Sequence, residues 1–299
     1  MTNRFAGMGW RRGAGVLLGG FLLMASAARA QEGGKNIPAV TVENREATET
    51  ALVLGPGKNL RDARKAFEKE ALQGSAAAQV NLAVCYMNGW GTEKNYGAAL
   101  TWLKEAAKQG QPQAYTNLGL VYLNGWGVAR NDEEALRNFR YAAEHGETGA
   151  MVNVGYMTEK GMGTGADLPE AAEWYRRAAD RGDALGQNNL ADLYLRGLGV
   201  AQNDVKAADW FQKAANQGQS GARIKLGFLC MTGRGVSRNA EAGYAWILAA
   251  SQAGDHRGDE YLAMLAAQLN PEQLEAATRR AHEMQAVPEA HFAETALAH

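Results

Sequence analysis

NGWGTEKNYGAALTWLKEAAKQG, residues 88–110, is followed by NGWGVARNDEEALRNFRYAAEHG, residues 124–146. Both stretches carry a Gly-x-Gly, an Asn a few residues later and a closing Ala-Ala-x-x-Gly, at an offset of 36 residues. A glycine pair at that spacing either cradles a ligand or punctuates an architecture that repeats. The closing glycine recurs as Gly110, Gly146, Gly182, Gly218 and Gly254, and Gly74 closes a partial copy before them. The pair recurs as Gly89 and Gly91, Gly125 and Gly127, Gly161 and Gly163, Gly197 and Gly199, and Gly233 and Gly235. Five units without insertions therefore run from Ser75 to Gly254.

Each unit reads as two helices. The first carries a one-sided apolar stripe, as in Ala114, Leu118, Val121 and Tyr122, which something must cover. Gly-x-Gly then ends it, because a residue just past a helix often needs positive φ. Asn95, Asn131, Asp167, Asn203 or Asn239 follows, all residue types whose side-chain oxygen caps a helix N-terminus. Glu134 and Glu170, three residues on, predict capping boxes in two copies. The second helix brings Trp102, Trp174, Trp210 and Trp246 in one column and paired alanines near its end. A phosphate loop would need a third glycine after a strand, or a Lys-Ser/Thr ending, and no copy supplies either. Large residues in one column against Ala83, Gly119, Gly155, Ala191 and Gly227 in another suit stacked helix pairs sharing one core. The expected fold is all-α, a solenoid of five 36-residue helix-turn-helix repeats with helical caps.

The pattern Leu118-Gly119, Tyr122, Gly125, Gly127, Val128, continued by Ala207, Trp210, Lys213, Ala214, Ala215 and Gly218, resembles the Sel-1-like repeat family. Its members are relatives of tetratricopeptide repeats. The resemblance implies a right-handed superhelix serving as a scaffold for protein contacts. Departures are local: Asn138 replaces the tryptophan in copy two, Thr158 the tyrosine in copy three, and Lys225 and Cys230 stand out in copy five.

Outside the array, Arg4, Arg11 and Arg12 precede an apolar run from Gly15 that ends in Ala28-Arg29-Ala30. This is the pattern of a secretory signal, residues 1–30, cleaved near Ala30; a membrane anchor would need about 20 apolar residues. The expected location is the periplasm or beyond, with no integral membrane segment after cleavage. Residues 31–58 read as a flexible leader, 59–74 as an N-terminal capping helix, 255–287 as C-terminal capping helices and 288–299 as a loose tail. Asn270-Pro271-Glu272-Gln273 is the start signal of the last helix.

Across 299 residues, 46% are hydrophobic and 21% charged, ordinary for a soluble, well-buried chain. The formal net charge is −1 and grows more negative once the signal's arginines are removed, so nothing marks the chain for nucleic acid or anionic lipid. The five histidines share no metal-ligand spacing, and no nucleophile motif appears. We therefore expect no enzyme, metal or cofactor. Cys85 and Cys230 lie four repeats apart. At on the order of 10 Å per repeat they far exceed the roughly 7 Å limit for a bridge, so both are expected free and buried. This separates the chain from the cysteine-rich branch of the family, linked to penicillin binding and β-lactamase activity.

In the related tetratricopeptide geometry the first helices line a concave face, and the residue before each Leu-Gly pair points into it. That column is Asn81, Asn117, Asn153, Asn189 and Lys225. Carboxamides can pair with both N–H and C=O of an extended peptide without reading its sequence. The alternative is that each Asn bonds the backbone of a neighbouring repeat. Leu120, Leu123, Tyr156 and Phe228 are among the apolar candidates beside the column. The expected function is a monomeric periplasmic adaptor that binds another protein or peptide segment in its groove, serving envelope signalling, secretion or envelope assembly. Competing classes are a cell-wall enzyme or glycan-binding protein, and an immunity protein neutralising a secreted toxin.

Overall fold

The computed structural model describes residues 60–284; the expectations for the signal, the leader and the tail lie outside them. Described residues form thirteen α-helices and no strand. A lone helix, α1 (Leu60–Leu72), precedes five hairpins. Their first helices are α2 (Ala76–Asn88), α4 (Pro112–Asn124), α6 (Thr148–Lys160), α8 (Ala184–Arg196) and α10 (Ser220–Thr232). Their second helices are α3 (Tyr96–Lys108), α5 (Asp132–Glu144), α7 (Leu168–Asp180), α9 (Asp204–Asn216) and α11 (Ala240–Gln252). A short turn at His256–Gly258 leads to α12 (Asp259–Ala266) and α13 (Pro271–Glu283). Each helix packs on its sequence neighbour through the array, giving an all-α solenoid of five repeats.

The two glycines of each pair do different work. The first caps its helix: Gly125, at φ 70°, donates its N–H to Val121 O, the left-handed stop that glycine adopts without a Cβ penalty. The second lies against the preceding repeat. A Cβ on Gly199 would sit 2.2 Å from Leu168 O, at the first residue of α7. Gly163 meets Asp132 and Gly235 meets Asp204 in the same way. Besides ending a helix, the motif therefore seats each loop on the helix start of the repeat before it.

All five expected caps accept the N–H three residues on, from Asn95 with Ala98 to Asn239 with Ala242. The boxes at Glu134 and Glu170 do not close. Each cap's own N–H is already taken by the first helix of its repeat: Asn131 N donates to Tyr122 O at 2.9 Å and Asp167 N to Thr158 O at 3.0 Å. The glutamates turn to cations instead, Glu134 to Arg137 and Glu170 to Arg140. At Asn270 and Gln273 a reciprocal box does form.

Among the deepest large side chains are Leu103, Phe139, Tyr175, Phe211 and Ile247, each at most 1% exposed. They sit one residue beyond the tryptophan column and fill the space opposite its small partners; a Cβ on Gly119 would lie 2.6 Å from the Phe139 ring. Trp174 and Trp246 are buried, while Trp102 and Trp210 are half-buried. The indoles flank the spine, and the next column builds it. Cys85 and Cys230 are free and buried. No helix of the described residues is long and apolar enough to cross a membrane.

Candidate functional site

First helices of adjacent repeats contact one another directly. Lys225 on α10 forms an ion pair with Asp192 on α8 and also donates to Asn188 Oδ1 at 3.2 Å. Gln113 on α4 donates to Glu147, the residue just before α6, at 2.6 Å. Second helices form their own layer, where Arg140 of α5 meets Glu170 of α7 at 2.8 Å.

Within the first-helix layer the four asparagines recur in register, and each is covered: exposure is 8% at Asn81, 5% at Asn117, 3% at Asn153 and 7% at Asn189. Their bonds differ. Asn117 Nδ2 donates to Gln113 O of its own helix at 2.8 Å, and Asn189 Oδ1 accepts from Asn188 at 3.1 Å. Asn153 Nδ2 is buried without a partner, a state that costs about 1–3 kcal/mol when nothing satisfies it. Leu120 and Leu123 are each 4% exposed and belong to the core. Tyr156 and Phe228 are half-buried. The Lys160 ammonium lies 5.8 Å from the Tyr156 ring, and Phe228 meets the Tyr261 ring edge-on at 4.3 Å. Half-buried aromatic rings recur along the layer, at Tyr86 on α2, Tyr115 and Tyr122 on α4, Tyr156 on α6, Tyr194 on α8 and Phe228 on α10.

A polar column two residues earlier was not marked in the sequence. Gln79, Tyr115, Gln187 and Arg223 each reach back eight residues to a carbonyl in the last turn of the preceding helix. Gln79 donates to Ala71 at 3.3 Å, Tyr115 to Ala107 at 3.0 Å, Gln187 to Ala179 at 3.3 Å and Arg223 to Ala215 at 3.2 Å. These bonds occupy carbonyls that a helix end leaves unpaired. Amide, phenol and guanidinium are unlike as residue types and alike in reach, so only their shared offset signals the role.

Ser251, His256 and Asp259 approach one another, but Ser251 Oγ and Asp259 Oδ2 both address His256 Nδ1, at 3.3 and 2.9 Å. A relay needs the two partners on opposite ring nitrogens. An open hollow of about 510 Å³ lies along α5 beside Leu136, Arg140 and Tyr141; Arg137 and Arg140 at its wall already hold Glu134 and Glu170. Burial raises the Cys85 thiol to about 11, against the pull of Arg64, and raises Cys230 against Arg280; neither is a ready nucleophile. Among the described residues no three His, Cys, Asp or Glu side chains are placed to hold a metal ion.

Five consecutive segments, 76–111, 112–147, 148–183, 184–219 and 220–255, match the family model for the Sel1 repeat, more than half of the chain. The chain belongs to the Sel1 repeat family. Sel1 repeat proteins are in general non-catalytic scaffolds for protein–protein contacts. Among solved structures, a Sel1 repeat protein from Oxalobacter formigenes is 28% identical with a TM-score of 0.66, the match covering 79% of this chain and 95% of that one. A protective antigen present in uropathogenic Escherichia coli strains, with the SLR fold, is 26% identical with a TM-score of 0.50, covering 81% of this chain and 60% of that one. No curated protein matches significantly.

Proposed function

We propose that this Sel1 repeat protein is a periplasmic adaptor, monomeric by itself, that holds a partner protein or an extended segment of one on its first-helix layer. Export rests on the signal pattern of residues 1–30, with cleavage near Ala30. The observation that carries the reading is the uninterrupted register of that layer. Five first helices repeat without insertion, and the layer keeps the aromatic rings of Tyr156 and Phe228 half open. Tyr156 and Phe228 supply apolar contact. The buried Asn81, Asn117, Asn153 and Asn189, with Leu120 and Leu123 in the core, are assigned the part of supporting that surface. A scaffold's role is set by what it holds, and the process served is regulation of an envelope signalling or secretion system.

The test is capture from a periplasmic extract by tagged protein carrying Asn117→Ala with Asn153→Ala, or Tyr156→Ala with Phe228→Ala. Both pairs should lose the partner that the unaltered protein retains, with helical circular dichroism preserved. Capture that survives both pairs would remove the first-helix layer from the account.

A further inference from the structure

The fifth repeat departs from the others at a buried position. Arg223 stands where Gln79, Tyr115 and Gln187 stand in other copies, and it is 4% exposed. Its three hydrogen bonds all go to main-chain carbonyls: Nε to Ala215 at 3.2 Å, one terminal nitrogen to Ala249 at 3.3 Å and the other to Met284 at 2.9 Å. Ala215 lies in the last turn of α9, Ala249 in the last turn of α11, and Met284 just beyond α13. Negative dipole charge gathers at helix C-termini, so one guanidinium joins three of them. Its five donors in a fixed fork suit the task, where the single amine of lysine would not.

α13 packs along α11, but the side chains it buries there are small. Its buried residues are Ala277 and Ala281, whereas α11 buries Trp246 and Ile247 along with four small residues. Burial stabilises in proportion to apolar area, and two methyl groups with a half-buried Leu274 supply less than the indole and sec-butyl groups that α11 buries. Beneath α13 lies the end of the core, where Met284 packs against the cluster containing Leu226, Cys230 and Trp246. Arg280 of α13 is near enough for its charge to act on the Cys230 thiol.

We propose that α13 is a strap, latched to the end of the array by Arg223, that lifts as a unit while the five repeats stay folded. The sequence before it supports this: Asn270 and Gln273 give α13 its own capping box, so the helix keeps its start when it leaves the array. Lifting uncovers Cys230 and the part of repeat five beneath α13, while α12 stays packed on α11 and against Phe228. Cys85 lies at the other end, packed with Phe67 and Ala71 of α1, and serves as an internal control.

The test is native-state thiol labelling of the full chain, with each cysteine followed by peptide mass. In Arg223→Gln, which installs the residue found at positions 79 and 187, Cys230 should label at least about tenfold faster while Cys85 keeps its rate. Both thiols accelerating together would mean global loosening, and an unchanged Cys230 rate would mean that Arg223 latches nothing; either overturns the proposal. Hydrogen exchange on the unaltered chain decides the matter even where the variant does not fold. Residues 271–284 should open as one unit with less protection than residues 148–219, and equal protection would overturn the strap.

Discussion

Gly199 and Gly182 both hold positive φ, 68° and 87°, yet a side chain would meet very different surroundings. At Gly182 nothing lies within 4 Å of an added Cβ, whereas at Gly199 it would lie 2.2 Å from Leu168 O. Gly182→Ala should therefore cost only the left-handed strain, about 1–2 kcal/mol. Gly199→Ala should cost at least about twice that, because the loop must back away from α7. Urea titration of the two variants checks the order, and equal midpoints would contradict the inter-repeat role. Spacing along the chain exposed both glycines as punctuation. It could not expose the second one's work, because the carbonyl it meets belongs to another repeat. At Asn153 the same limit applied: recurrence located the residue, but whether its amide finds a partner depends on three-dimensional neighbours. Asn153→Ala should leave the melting temperature unchanged or raise it, since the unpartnered Nδ2 is removed. A clear drop would show that the amide does stabilise the fold.

Helix limits were legible because their signals are local: a cap, an apolar stripe and a glycine stop lie within a few residues of one another. The capping boxes failed for a reason one element away, since the first helix had already claimed the N–H of Asn131. Asn131→Ala should thus cost about 1 kcal/mol, while Glu134→Ala should stay within about 0.5 kcal/mol, both read from urea midpoints; a larger glutamate effect would argue that a box forms in solution. Between α9 and the loop after α10, Arg234 holds the Asp204 carboxylate at 2.7 Å and keeps its pKa below the ordinary 3.8, chiefly through that hydrogen bond. A lowered folded pKa contributes stability that is present above the unfolded value and lost as pH falls through the folded one. Arg234→Leu should therefore flatten the acid limb of stability below about pH 4 and change little of its pH dependence near neutrality. An unaltered acid limb would count against the pair.

At the scale of the molecule, each repeat touches its neighbours and little else, so damage should spread by proximity. Phe211→Ala removes a fully buried ring and should cost about 3–5 kcal/mol; exchange protection should fall in repeats four and five and persist in repeats one and two. A uniform loss would mean that the array opens as one unit. The solenoid was legible because its period never slips. The depth of the proposed partner layer was not legible, since four recurring asparagines mark a layer without saying how far each lies beneath its covering. The adaptor reading is tested most directly by photo-crosslinking in the producing cell, with the reactive side chain placed at Tyr156 or Phe228 on the first-helix layer, or at Glu133 or Glu173 on the second-helix layer. A discrete protein adduct should form from the first two positions and not from the other two. An adduct from the second-helix layer alone, or from neither layer, would contradict the account.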